Sequence, residues 1–271
     1  MILPNGGGRT GSWLAPSRNP DAKVRLFCLP HAGAGTAGYH AWKRLLPAEI
    51  EICPVQIPGR ESRLAEPSYT SSESLIEEIA LAIADRTDKP YAIFGHSMGA
   101  LLALDLALRL REHGQPEPAY LFVSGRNATH VPMKHGSIHK LTDEEFLDAL
   151  AIRYGGLPQE ILETPELLEV YLPILRADLT LLETHTYIER TPLACPISAF
   201  AGKDDQNVSG MGLTSWGEHT VGSFESVWFE GDHFYLNAAS RTSLLGVIAN
   251  RLRDALQGIP TLNESSGSDA R

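Results

Sequence analysis

Gly95-His96-Ser97-Met98-Gly99 lies between the apolar run Tyr91-Ala92-Ile93-Phe94 and the stretch Ala100-Leu101-Leu102-Ala103-Leu104-Asp105-Leu106-Ala107. The first flank reads as a short buried strand, and the second is rich in strong helix formers with no breaker. Strand, serine and helix in this order meet the needs of a nucleophile elbow. On that tight turn the hydroxyl stands clear of the backbone and the next residue's N–H faces a reacting carbonyl oxygen. The flanking glycines are small enough to allow the turn. By chance alone G-x-S-x-G arises in about one chain of this length in ten, so its setting carries the reading.

Outward from the elbow, strand-like runs recur at Val24 to Leu29, Ile50 to Ile57, Tyr120 to Ser124, Ile197 to Ala201 and Val227 to Glu230. Helical patterns separate most of them. Ser74 to Asp85 places Leu75, Ile79 and Ile83 at helical spacing, and Asn237 to Leu256 does the same with Leu244, Leu245, Ile248 and Leu252. Such alternation implies an α/β fold with a mainly parallel central sheet flanked by helices on both faces. From Thr129 to Arg190 helical patterns follow one another with no strand between them. Thr142 with Glu145, and Thr164 before Pro165, mark two helix starts within that stretch. An inserted helical lid over the carboxyl ends of the strands is expected there, where substrate enters. The expected organisation is a core of residues 23–128 and 191–257 and a lid of 129–190. The ends, 1–22 and 258–271, are polar, rich in Gly, Pro, Ser or Asn, and expected to be flexible.

The chain has 271 residues, 43% hydrophobic and 21% charged, which suits one globular domain with a substantial core. A formal net charge of -10 disfavours nucleic acid as a partner, and no basic membrane-binding face is apparent. Cys28, Cys53 and Cys195 form no C-x-x-C pair, so buried core thiols are expected rather than a metal site or a disulfide framework. With neither a bilayer-length apolar run nor a signal-like N-terminus, a cytoplasmic location is expected.

A serine nucleophile on this scaffold needs an acid and then a histidine, each just after a strand. Of the ten histidines only His219 and His233 follow the strand at Ile197. His219 falls in the helical or irregular stretch Trp216-Gly217-Glu218-His219. His233 directly follows the run Ser226 to Asp232 and is the better candidate base. For the acid, Gly202-Lys203-Asp204-Asp205-Gln206-Asn207-Val208 matches the G-x-x-D-x-x-V turn with Asp205, and Asp204 is the alternative. The acid would accept the imidazole N–H and fix its tautomer. The loop Leu29-Pro30-His31-Ala32-Gly33-Ala34-Gly35 supplies a second oxyanion donor, pairing the N–H of Ala32 with that of Met98. Read over Leu29 to Gly35, it has neither the G-x-x-x-x-G-K-[ST] pattern nor a G-x-G-x-x-G fingerprint, and phosphate binding is not expected of it. His31 and His96 flank the site as structural or substrate-shaping groups.

The segments Pro30 to Gly35, Gln56-Ile57-Pro58-Gly59-Arg60-Glu61-Ser62-Arg63, Phe94 to Ala100 and Gly231-Asp232-His233-Phe234 together resemble the type II thioesterases of polyketide and nonribosomal peptide assembly lines. The likeness runs from about Arg25 to Leu252. It departs at Ala34, where a second glycine is common, and at Asp232, where a glycine often precedes the histidine. The resemblance implies the α/β-hydrolase fold and a free-standing monomer with a Ser97-Asp205-His233 triad. It also implies hydrolysis of acyl groups from the phosphopantetheine arm of an acyl or peptidyl carrier protein, an editing role that needs no cofactor. A small-molecule esterase, or an acyltransferase or cyclising thioesterase, would use the same triad. Because carrier domains are usually acidic, local basic residues would have to favour docking, and Arg60, Arg63 and Lys134 are the candidates.

Overall fold

Alternation within the first strand shows how the core is divided. In β1 (Val24–Leu29) Phe27 and Leu29 point to one side of the sheet, while Val24, Leu26 and Cys28 point to the other. Every residue of this strand is buried, as expected of a parallel strand with helices on both faces. The computed structural model describes residues 12–15, 19–237 and 239–257.

In chain order the elements are β1, α1 (Trp42–Leu45), β2 (Ile50–Pro54), α2 (Ser72–Ile83), β3 (Tyr91–His96), α3 (Met98–Glu112) and β4 (Tyr120–Ser124). There follow α4 (Asp143–Tyr154), α5 (Gln159–Glu163), α6 (Pro165–Thr184), β5 (Ile197–Gly202), α7 (Gly210–Thr214), β6 (Phe224–Phe229) and α8 (Arg241–Gln257). The strands form one sheet in the order β2-β1-β3-β4-β5-β6, and every pairing is parallel. Against expectation, β2 stops at Pro54, and Val55 bridges Leu14 in antiparallel fashion instead. The edge strand β6 begins earlier than expected, at Phe224, because Phe224 to Phe229 pairs in register with Ile197 to Gly202.

Helices α2 and α3 cover one face of the sheet, and α1 and α8 cover the other. Leu75, Ile79 and Ile83 of α2 are fully buried; each contributes about 2 kcal/mol by leaving water. Ser71 caps that helix, its hydroxyl accepting from the Ser74 N–H.

Helices α4, α5 and α6 sit between β4 and β5 and carry a small core of their own: Ile138, Phe146, Leu150, Leu175 and Leu179. Thr142 and Glu145 form the reciprocal capping box at the start of α4, and Pro165 occupies the first turn of α6, where its missing N–H costs nothing. Ala32, from the glycine-rich loop after β1, packs against this core.

All three cysteines are buried and unpaired. Among the described residues no helix is long and apolar enough to cross a membrane. Of the ends expected to be flexible, residues 1–11, 16–18 and 258–271 lie outside the described residues. Residues 12–15 are bound alongside β2: the Gln56 N–H donates to Trp13 O and the Ala15 N–H to Pro54 O.

Candidate active site

Ser97 adopts φ 55 and ψ -110, a conformation rare for any residue with a side chain, and one that costs about 1–3 kcal/mol. Its neighbours explain why both flanking glycines are needed. A Cβ on Gly95 would lie 1.9 Å from the Gly99 carbonyl oxygen, and one on Gly99 would lie 2.2 Å from that of Leu29. The turn is held by the Ser97 N–H, which donates to Ser124 O at 2.7 Å. Helix α3 starts at the next residue, so the Met98 N–H belongs to the first turn, whose donors have no partner inside the helix. Neither it nor the Ala32 N–H donates to another described residue.

The ends of β5 and β6 bring the other two groups together. Asp205 Oδ2 accepts the His233 Nδ1–H at 2.7 Å, and Asp205 Oδ1 accepts from the Asn207 N–H at 3.0 Å. Asp205 is 5% exposed, whereas Asp204 is exposed, so of the two it is Asp205 that meets His233. With Nδ1 donating, His233 Nε2 is left as the basic nitrogen. Asp232, the departure from the commoner glycine, accepts the Phe234 N–H on Oδ1 at 2.8 Å and closes a tight turn around His233. The rival His219 lies elsewhere, its Nε2 3.0 Å from His130 Nδ1 and its ring against Trp216.

Two other histidines surround the site, and neither is charged near neutrality. Burial holds His96 well below its ordinary pKa, with its Nδ1 at 2.9 Å from Ser124 Oγ and its ring 5.0 Å from that of His233. Burial brings His31 down to about 4, and its Nδ1–H donates to Ala32 O at 2.9 Å.

The glycine-rich loop is fastened at two points. Asp178 of α6 accepts the Gly33 N–H at 2.8 Å and both terminal nitrogens of Arg60 at 2.7 Å each. Glu61 accepts the N–H groups of Thr36 and Ala37 and the Thr36 hydroxyl at 2.8–3.0 Å. Burial tends to raise the Glu61 carboxyl, but these bonds outweigh it and hold the group below its usual range.

Sequence reading missed that Gly33-Ala34-Gly35-Thr36-Ala37-Gly38 spells G-x-G-x-x-G, the spacing of a dinucleotide-binding turn. Its chemistry here is different. A short 3₁₀ turn, Ala37–Tyr39, follows instead of a long helix, and the donors that would hold a pyrophosphate are taken by Glu61.

Two of the expected docking residues are internal. Arg60 is bound to Asp178. Arg63 is 2% exposed, forks onto Glu66, donates to Gln56 O and stacks 4.2 Å from the centre of the Trp13 ring. Both are therefore corrected from surface to structural roles. Lys134 is exposed, with its Nζ donating to Gln206 O.

Ser97 and His233 together line two cavities. One, of about 540 Å³, lies beneath α4, α5 and α6 and is mostly apolar, with Leu150, Leu157, Ile161, Leu175 and Leu179 in its wall. The other, of about 60 Å³, runs toward the loop after β4 and is lined by Arg126, Lys134, Arg153 and Tyr154.

The family model described as thioesterase domain matches residues 24–252. The chain is 39% identical over 248 residues to linear gramicidin dehydrogenase LgrE of Brevibacillus parabrevis, covering 90% of this chain and 94% of that protein. Among solved structures, the RedJ thioesterase from the prodiginine pathway of Streptomyces coelicolor superposes with a TM-score of 0.80 at 37% identity, over 88% of this chain and 90% of that one. BorB, a type II thioesterase from the borrelidin biosynthetic cluster, superposes at 0.81 with 35% identity, over 91% of this chain and 100% of that one. With its α/β-hydrolase sheet, its serine elbow and these likenesses, the chain belongs to the thioesterase domain family, as a type II thioesterase of the polyketide and nonribosomal peptide kind.

Proposed function

We propose that this thioesterase hydrolyses acyl groups from the phosphopantetheine arm of acyl or peptidyl carrier proteins, with Ser97, His233 and Asp205 as its triad. The observation that carries the reading is the 2.7 Å bond between buried Asp205 and His233, with Ser97 in the wall of the same cavity. Ser97 Oγ adds to the thioester carbonyl as its proton passes to His233 Nε2. Asp205 steadies the imidazolium without taking the proton. Charge on the carbonyl oxygen is met by the N–H groups of Ala32 and Met98, which no other described residue uses.

Collapse breaks the C–S bond, and His233 returns the proton to the departing sulfur. With a thiol pKa of about 8.5, that sulfur leaves more readily than an alkoxide. Water then adds to the acyl-serine with His233 again as base, releasing the acid and the Ser97 hydroxyl. Water is the only co-reactant.

Helices α4, α5 and α6 act as a lid, and the apolar cavity beneath them receives the acyl chain. Clearing a blocked carrier is the role that suits an enzyme whose product is a free acid. The test is acid release from a panel of acylated carrier proteins, with Ser97→Ala as control and matching oxygen esters alongside. Turnover of acyl-carrier thioesters that disappears in the variant is expected. A preference for oxygen esters, or transfer products without free acid, would overturn the reading.

A further inference from the structure

Arg126 follows β4 through Gly125 and lines the smaller cavity together with Ser97 and His233. Its backbone is fixed: the Trp216 Nε1–H donates to Arg126 O at 2.8 Å. Its guanidinium is different, because it makes no hydrogen bond or ion pair with any described residue. Arg126 is half-buried, and the arginines buried more deeply are all answered by carboxylates, Arg25 by Glu51, Arg60 by Asp178 and Arg63 by Glu66.

The acids near Arg126 are already engaged. Asp105 is bound by His185 at 3.1 Å. Glu183, the carboxylate in the cavity wall, accepts the Ile138 and His139 N–H groups and the His139 ring, with Arg153 at 3.9 Å beyond. Tyr154, whose ring lies 5.2 Å from that of His233, stands close enough to act on Arg126 electrostatically. Lys134 and Arg153 add further positive charge to the same wall.

A cation partly withdrawn from water in a cavity wall, with its donors unused by the protein, is placed to gain from an anion that meets it. The planar fork of a guanidinium matches a carboxylate or a phosphate with paired N–H···O bonds. We propose that Arg126 receives an anionic oxygen group of the thioester substrate, a carboxylate on the acyl group or the phosphate of the pantetheine arm. The inference rests on Ser97 as nucleophile only in that the anion belongs to the molecule whose thioester Ser97 attacks. It gives this chain a selectivity that its apolar cavity cannot supply.

The test compares wild type, Arg126→Gln and Arg126→Lys on two matched pairs of thioesters. Succinyl- against butyryl-N-acetylcysteamine isolates the acyl carboxylate. Butyryl-phosphopantetheine against butyryl-pantetheine isolates the phosphate. The charged-to-neutral ratio of kcat/KM for one pair is expected to fall about tenfold to a hundredfold in Arg126→Gln, mainly through KM, and to be partly kept in Arg126→Lys. A fall in the first ratio assigns the acyl carboxylate, and a fall in the second assigns the arm.

Ratios that stay at the wild-type value, even if all rates decline together, would overturn the proposal. A second measurement stands apart from turnover: calorimetric binding of succinate and of inorganic phosphate to Ser97→Ala protein, with and without Arg126→Gln. Loss of binding of one anion in the double variant is expected, and equal binding would overturn the site even where Ser97 proves not to be the nucleophile.

Discussion

At Asp205 a single residue step decides which carboxylate reaches His233. The sequence offers Asp204 and Asp205 side by side, and the turn pattern favours the second; the fold separates them, burying Asp205 against His233 and leaving Asp204 in solvent. Asp205→Asn is expected to lower kcat by about 10⁴-fold, because an amide in that place favours the wrong imidazole tautomer. Asp204→Asn should stay within a few-fold of wild type, and steady-state kinetics on one acyl thioester compares the two directly. A large loss in Asp204→Asn with activity kept in Asp205→Asn would exchange the assignment. Ser97, His233 and Asp205 could be proposed from sequence because the chemistry fixes the order of such a triad and the places of its members after strands. Arg126 could not, since a lone arginine after a strand looks the same in sequence whether its charge is paired, solvated or buried.

Among the elements, α6 matters most to the site, because one of its buried carboxylates reaches both the glycine-rich loop and the segment around Arg60. Removing one member of a buried ion pair strands the other. Arg60→Met is therefore expected to cost about 3–5 kcal/mol, read from urea unfolding. Arg60→Met with Asp178→Leu should recover most of that stability, since an apolar pair of similar volume replaces the charges. It should not recover full activity, because the Gly33 N–H then loses its acceptor beside Ala32, a proposed oxyanion donor. Equal recovery of stability and kcat would show that the clasp serves folding alone. The same clasp explains a misreading of the sequence. Arg60 and Arg63 sit in a polar, glycine-containing loop that reads as surface; Arg60 is met by distant Asp178 on α6, and Arg63, although its carboxylate Glu66 is close by in the chain, is covered by Trp13 near the N-terminus. Most strands and the longer helices were legible because their apolar periods are local. The span of β6 was not, since its first residues are placed by pairing with β5.

For the whole molecule, charge and buried histidines govern how it responds to its medium. A net charge of -10 opposes approach to an acidic carrier. Added salt is therefore expected to raise kcat/KM on acyl-carrier substrate while leaving a neutral N-acetylcysteamine thioester unaffected; a fall on the carrier substrate alone would point to attraction instead. Acid acts through the interior. Burial brings His31 and His219 down to about 4 and holds His96 well below its usual range, all from an ordinary value of 6.5. Between those limits the unfolded chain binds protons that the folded chain refuses, so stability rises with pH through this window. It is complete above about pH 6.5 and erodes toward pH 4, by up to about 1.4 kcal/mol per pH unit for each histidine. Glu61 and Glu225 are held below 4.5 by their hydrogen bonds, so their share is lost only in more acid solution. Urea midpoints are therefore expected to hold from pH 7.5 to about pH 6.5 and to fall steadily from there to pH 5, well before the carboxylates titrate. His219→Phe should flatten that slope by about one histidine's share, because the replacement has no proton to bind in either state. An unchanged slope in the variant would place the acid sensitivity elsewhere than in this buried ring.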